Sequence, residues 1–193
     1  RGSLKSGHNP IVQVIYTWNY SASYSPHIKQ VAAVINYLHQ HYNMNSYNVV
    51  GHSYGGSAWV NAYFRYPSIC QAARVKRVML LATPVEETLN PKEVFKRSLI
   101  HKSTDEHFRE MMKEKPQVKN SQWPEQVYNV MGVAKDKKRT DGAVPAIQAE
   151  MIRPLFKHKP IQYHEHTFYH ITHTGLHQQS RVLKYAMNRL WAK

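Results

Sequence analysis

The sequence predicts an α/β fold with a mainly parallel central sheet flanked by helices. Along most of the 193 residues, β-prone apolar runs alternate with segments whose apolar residues recur at helical spacing, which is typical of strand–helix–strand units. One of these runs breaks into Gly-x-Ser-x-Gly at residues 51–55 and continues as a helix. The length suits one domain, residues 1–193, with a sizeable core.

The N-terminal half contains three predicted strands. Residues 11–17 are a nearly continuous β-branched run, which predicts a central strand covered on both faces. After a polar loop, a proline opens the helix predicted at 26–42, where apolar residues recur every three or four positions. The β-prone residues 47–50 and 76–82 predict the next two strands. Small and aromatic residues predict the helix between them, at 57–66.

The C-terminal half contains two further strands, predicted at 126–133 and, nearer an edge, at 160–168. A proline starts the helix predicted at 145–156, and a closing helix is predicted at 178–191. The apolar face of the closing helix comprises Val182, Leu183, Ala186, Met187 and Leu190. Residues 85–122 are dense in charge, which favours a helical insertion outside the core. The apolar spacing of this insertion comprises Phe108, Met111 and Met112.

Ser53 is the principal candidate for chemistry. Between a strand and a helix, Gly-x-Ser-x-Gly is the pattern of a nucleophile elbow, whose serine has strained backbone. Gly51 and Gly55 are interpreted as removing Cβ atoms that would crowd the turn. The amide of Tyr54, at the start of the helix, is expected to stabilise negative charge on a substrate oxygen.

A serine nucleophile needs a histidine that takes its proton and a carboxylate that orients the histidine. Asp141 is favoured over Asp136 as the carboxylate, because glycine follows it and allows a tight bend, whereas Asp136 is flanked by lysines. A helix-cap role is the alternative for Asp141. His177 is favoured as the base because it immediately precedes the closing helix, and His173 is the second candidate.

Neither a metal nor a cofactor is expected. His164 and His166 lie on one face of an alternating strand, but their spacing matches no metal-ligand motif. Cys70 is the one cysteine, so no intrachain disulfide can form.

The chain is strongly basic, with 26 Lys and Arg against 12 Asp and Glu and a formal charge of +14. Such a surface attracts anions, and an anionic cell-wall polymer or membrane surface is therefore a candidate partner. A merely solvated face is the alternative. Because the basic residues are dispersed and no nucleic-acid-binding motif accompanies them, no specific nucleic acid is expected. No apolar run approaches the roughly 20 residues of a membrane span.

Three stretches together give the chain a resemblance to the α/β-hydrolase superfamily. They are residues 51–56 (Gly-His-Ser-Tyr-Gly-Gly), 140–145 (Thr-Asp-Gly-Ala-Val-Pro) and 173–177 (His-Thr-Gly-Leu-His). The chain looks most like a branch provisionally labelled as cell-surface hydrolases of Gram-positive bacteria. That branch has a Gly-His-Ser-x-Gly-Gly elbow, a Ser/Thr-Asp-Gly-x-Val-Pro acid loop and a His-Ser-x-Leu-His loop before the last helix. The resemblance extends from residue 9 onward.

The resemblance implies that Ser53 is the nucleophile, Asp141 the acid and His177 the base of a serine hydrolase, at the cell surface or secreted. Its substrate would be a small or lipid-like carboxylic ester. The branch often continues Glu-Asn after the last histidine, where this chain has Gln178 and Gln179. A catalytically weak or inactive module that binds anionic polymers or membrane is the alternative.

Two further expectations concern the surroundings of the serine. The insertion at 85–122 would form a lid, with Trp18, Tyr20 and Tyr24 lining the pocket, and a plain surface excursion is the alternative. The family's first strands, and the loop that donates a second oxyanion N–H, belong before residue 11. We therefore expect them to be missing from this chain, which leaves the amide of Tyr54 as the assigned donor.

Overall fold

In the computed structural model, which describes residues 10–16, 23–87, 103–135 and 139–191, four parallel strands form one sheet in chain order. The strands are β1 (Ser46–His52), β2 (Arg74–Leu81), β3 (Gln126–Val133) and β4 (Gln162–Tyr169). The helices are α1 (Ser25–Tyr42), α2 (Tyr54–Arg65), α3 (Ser68–Ala72), α4 (Glu106–Glu114), α5 (Ala146–Glu150), α6 (Arg153–Phe156), α7 (Gly175–Gln178) and α8 (Ser180–Leu190), with 3-10 turns at Lys115–Gln117 and Asn120–Gln122. The predicted α/β fold class is confirmed.

The sheet is covered by helices on both faces. On one face, Val78 and Leu80 of β2 pack in a large core with residues of α1 and α2. On the other face, Met79 and Leu81 of the same strand pack with α7 and α8. A parallel strand covered on both sides is apolar at nearly every position, which explains why β2 and β3 could be recognised from sequence.

The strand predicted at 11–17 is wrong for the part that the structure describes, since residues 10–16 form no strand. Ile11 and Ile15 are 83% and 78% exposed. β-branched residues favour extended backbone, but a strand also needs a neighbour that completes its main-chain hydrogen bonds. No strand in the described residues pairs with this segment.

The segment 85–122, predicted to lie outside the core, contributes to the core at both of its described ends. Val85 is buried after β2, and Phe108 and Met111 of α4 join the cluster formed with α1 and α2. The Asp105 side chain starts α4 by accepting a hydrogen bond from the Phe108 amide at 3.0 Å. Residues 88–102, where much of the predicted lid would lie, are outside the described residues.

Two helices differ from their predicted form. The helix expected at 145–156 is divided into α5 and α6, since Pro154 lacks an amide proton and its ring clashes with a carbonyl one turn earlier in a continuous helix. The apolar face predicted for the closing helix is only partly buried, because Leu183 and Met187 are 45% and 62% exposed.

No helix that the structure describes has the length and apolarity needed to cross a bilayer.

The burial of α4 generates a first prediction. Met111 is fully buried, whereas the adjacent Met112 is 37% exposed. We expect Met111→Ala to lower the free energy of unfolding by about 2–5 kcal/mol through lost contacts and a residual cavity. The matched control Met112→Ala should change it by less than about 1 kcal/mol. Urea denaturation measures both values, and equal losses would contradict the packing of α4 in the core.

Candidate active site

Ser53 occupies a sharp turn between β1 and α2. Its backbone has φ 53° and ψ −135°, a conformation that L-residues rarely adopt. The turn is held from both sides, since the Ser53 amide donates to the Leu81 carbonyl at 3.0 Å and the Ser53 carbonyl accepts from the Gly56 and Ser57 amides at 3.0 and 3.2 Å. The serine therefore has the strained strand–turn–helix geometry of a nucleophile elbow.

The glycines around this turn differ in whether a Cβ atom would fit at their position. A Cβ on Gly51 would lie 2.5 Å from Cα of Gly56, so the predicted steric role of Gly51 matches the geometry. A Cβ on Gly55 would have no atom within 4 Å, which contradicts the role predicted for that residue. The second close approach is instead at Gly56, where a Cβ would collide with the side chain of Thr83 after β2.

Asp141 lies in a tight loop after β3, and its side chain is fully buried. The carboxylate oxygen Oδ1 accepts hydrogen bonds from the amides of Ala143 at 2.9 Å and Val144 at 2.7 Å. Gly132 of β3 makes room for this loop, because a Cβ there would lie 2.9 Å from Cβ of Asp141. The loop thus fixes the direction of the second carboxylate oxygen.

That second oxygen, Oδ2, accepts a hydrogen bond from Nδ1 of His173 at 2.7 Å. A backbone bond from the His173 amide to the Asp141 carbonyl, 2.9 Å, reinforces the pairing. Because a carboxylate only accepts, the proton of the neutral ring is on Nδ1, and Nε2 keeps the lone pair that a general base needs. His173 is the histidine that Asp141 orients.

The structure does not bring the favoured histidine, His177, into contact with Asp141. His177 is exposed on the short helix α7, and its ring lies 4.5 Å from the ring of His52. Both His173 and His177 precede the closing helix, so chain position alone could not separate them. His173 precedes α7 and bonds to Asp141, whereas His177 lies within α7.

His52, next to the serine, is a site residue that sequence reasoning missed. Its Nε2–H donates to the His173 carbonyl at 3.0 Å, and the two rings are 4.4 Å apart. Burial, together with the neighbouring imidazoles of His173 and His177, lowers the pKa of His52 to about 4. His52 therefore stays neutral near pH 7 and links the serine turn to the loop that contains His173. The signal in the sequence that could have identified His52 was its position as a polar residue directly before the serine.

The first turn of α2 presents the amide of Tyr54, which has no acceptor in the described part of the chain. Such first-turn amides attract developing negative charge. The Tyr54 ring is held in place, since its hydroxyl donates to the Glu87 carbonyl at 3.1 Å and its ring meets Tyr24 edge-on at 5.3 Å. Tyr24, predicted to line the pocket, is fully buried, and Trp18 and Tyr20 lie outside the described residues.

A polar cluster around Glu87 supports this side of the site. The carboxylate accepts from the hydroxyls of Ser23 and Ser25 and from Nε2 of His107 at 3.1 Å. Partial burial alone would raise the pKa of Glu87, but these hydrogen bonds outweigh it and hold the pKa at about 2. The cluster keeps a carboxylate charged beside Tyr54 and ties α4 to the start of α1.

No group of three or more His, Cys, Asp or Glu side chains among the described residues is arranged to hold a metal ion. His164 and His166, which share a face of β4 as predicted, stack on Tyr128 and Tyr185 at centroid distances of 5.0 and 4.7 Å.

The chain is similar to a known protein family and to solved structures. The model of a family described as alpha/beta hydrolase of unknown function (DUF915) matches residues 2–193. The product of the gene lin2722 from Listeria innocua has a similar structure, with a TM-score of 0.73 at 19% identity over 89% of this chain and 68% of that chain. A protein from Lactobacillus plantarum WCFS1, provisionally described as a cell surface hydrolase, gives a TM-score of 0.63 at 20% identity over 88% and 64%.

At these identities the likeness to solved structures concerns the fold. The chain spans about two thirds of the length of each of these two proteins. No curated protein matches the chain.

The contrast between the two adjacent glycines generates a second prediction. Gly56→Ala should lower the free energy of unfolding by about 1–3 kcal/mol, because its methyl group would collide with Thr83. Gly55→Ala, the matched control, should be neutral or raise it by up to about 1 kcal/mol, since alanine is the better helix former and the space is open. Thermal and urea unfolding compare the two. A stable Gly56→Ala variant would contradict the close packing of the turn.

The lowered pKa of His52 generates a third prediction. Its pKa is about 4 in the folded protein, against an ordinary value of about 6.5 when unfolded. Between pH 6.5 and pH 4, His52 binds more protons in the unfolded chain than in the folded protein. Its contribution to the free energy of unfolding is therefore complete above pH 6.5 and is lost as the pH falls toward 4. The loss should reach up to about 3 kcal/mol. His52→Gln should flatten the pH dependence of unfolding in this window, and a variant that kept the full pH dependence would contradict the prediction.

Proposed function

Because the chain belongs to this family of α/β hydrolases, whose model spans nearly all of it, we propose that it is a serine hydrolase that cleaves carboxylic esters. Two observations carry the proposal: the bond from Nδ1 of His173 to Asp141, 2.7 Å, and the backbone conformation of Ser53, which is that of a nucleophile elbow. In this proposal Ser53 is the nucleophile, Asp141 the orienting acid and His173, rather than His177, the base.

The first half of the reaction follows from the tautomer that Asp141 fixes. Nε2 of His173 takes the proton of the Ser53 hydroxyl as the oxygen attacks the carbonyl carbon of the ester. Negative charge develops on the carbonyl oxygen, and the Tyr54 amide at the start of α2 donates to it. The tetrahedral intermediate collapses when the imidazolium of His173 gives its proton to the departing alcohol, which leaves an acyl group on Ser53.

The second half repeats these roles with water. His173 takes a proton from water as the water oxygen attacks the acyl carbon, and the same proton returns to the Ser53 oxygen when the acid product leaves. An ester fits this site better than an amide. An alcohol is the easier leaving group, and the described residues offer the Tyr54 amide as a donor where such sites ordinarily use two. Loss of one donor typically costs roughly 10²–10³-fold in rate.

The substrate class and the absence of a cofactor belong to the same proposal. We propose a small or lipid-like ester and no metal or organic cofactor in the reaction, since nucleophile, base, acid and one oxyanion donor are all side chains or amides of this chain. The half-buried, neutral His52 would hold the loop of His173 in place relative to Ser53 during both halves of the reaction.

A fluorophosphonate probe, which reacts with an activated serine, tests the proposal. The native protein should be labelled, and Ser53→Ala should not. Loss of the base should slow labelling of His173→Gln by roughly 10³-fold or more. The matched variant His177→Gln should react within about threefold of the native rate, because its side chain is exposed and has no contact with Asp141.

Three controls complete the experiment. Heat-denatured protein sets the background, and thermal unfolding of each variant separates loss of fold from loss of chemistry. Labelling that persists in Ser53→Ala would overturn the assignment of the nucleophile. A greater loss in His177→Gln than in His173→Gln would restore His177 as the base.

A further inference from the structure

An arginine–aromatic strip lies on the face of the sheet opposite α1 and α2. It consists of five rings on β3, β4 and α8, namely Tyr128, His164, His166, Phe168 and Tyr185. Two guanidinium groups cover it. Arg189 lies 5.3 Å from the centroid of Tyr185 and 6.0 Å from that of Tyr128, and Arg181 lies 5.7 Å from that of Phe168.

The strip is positively charged, and no carboxylate in the described ranges pairs with its two arginines. The sequence has no Asp or Glu after Glu165. Glu165 lies on the opposite face of β4, where it pairs with Arg153 at 2.6 Å. Within the described residues, neither Arg181 nor Arg189 forms an ion pair. Both arginines are exposed, so their charge is available to a ligand.

The geometry points to an extended ligand. Arg181 and Arg189 are eight residues apart on α8, which places them roughly 12 Å apart along the helix axis. A single small anion cannot bridge that distance. A guanidinium group that lies over a ring still presents N–H groups at its edge, and these can donate to phosphate or carboxylate. In Arg181 the donors left for a ligand are those on Nη1, because Nε donates to Gln179 and Nη2 to the Tyr169 and His170 carbonyls.

Two other classes of macromolecule suit this surface less well. Single-stranded nucleic acid needs open ring faces on which bases stack, but here His164 stacks on Tyr128 and His166 on Tyr185. A membrane surface favours apolar side chains among the cations. Leu183 and Met187 are exposed on α8, but each is two residues from Tyr185, roughly 160° around the helix, and so lies away from the strip.

We propose that the arginine–aromatic strip binds a linear polymer that carries repeated phosphate or carboxylate groups. The strip and the proposed hydrolytic site share no residue. Binding and ester hydrolysis can therefore fail independently, and Ser53→Ala should bind the polymer as the native protein does.

Titration with long-chain inorganic polyphosphate, and separately with polyglutamate, tests the proposal. We expect at least one to bind, with log K falling linearly as log salt concentration rises. The double variant Arg181→Gln/Arg189→Gln should bind at least tenfold more weakly, and the salt slope should fall by about two. The control pair Lys29→Gln/Arg109→Gln removes the same charge from exposed positions on α1 and α4, and should weaken binding by less than about threefold.

Further arms decide between the outcomes. Arg189→Gln alone keeps the bonds from Arg181 to the Tyr169 and His170 carbonyls, and a measurable loss of affinity in this variant would support the strip without disturbing the loop of His173. Binding of neither polymer, or equal losses in the strip and control variants, would overturn the proposal. Tighter binding of an oligonucleotide of equal charge, or of phosphatidylglycerol vesicles only, would also overturn it in favour of nucleic acid or membrane.

Discussion

The buried carboxylate of Asp141 is the constraint on which the geometry of the candidate site depends. An ionised carboxylate without partners costs several kcal/mol inside a protein, so its burial requires the Ala143 and Val144 amides and the His173 ring to be in place together. The missing side chain of Gly132 lets the acid loop approach β3 closely enough for this. Formation of the site is therefore part of folding rather than an addition to a finished core.

A second polar link extends the same constraint across the sheet. His52 is the last residue of β1, and His173 lies beyond the end of β4. The bond from Nε2 of His52 to the His173 carbonyl therefore joins the carboxyl ends of the two outer strands of the described sheet. The strained turn at Ser53 is held by β2 through the Leu81 carbonyl. The loops after β1, β3 and β4 are thus fastened by a few directional bonds, whereas non-directional packing on both faces supports the strands beneath them.

Sequence patterns predicted the strands and the turn that have a local signature in the chain. They failed where the structure depends on contact with another segment. The apolar strands β2 and β3 and the Ser53 turn could be recognised because burial on two faces and a strained turn each leave a local signature. Residues 10–16 had the same signature, but no strand in the described part of the chain pairs with them. Choosing between His173 and His177, or between Gly55 and Gly56 as the crowded glycine, required side-chain directions in three dimensions, which spacing does not encode.

Hydrogen bonds connect the residues that flank the segment 88–102. The Ser103 hydroxyl donates to the Glu86 carboxylate at 2.6 Å, and the Glu87 amide donates to Asp105 at 3.2 Å. A loop whose ends are already held together pays only about 0.6 kcal/mol for each doubling of its length. A change in the number of residues between these two anchored ends should therefore cost little folding free energy.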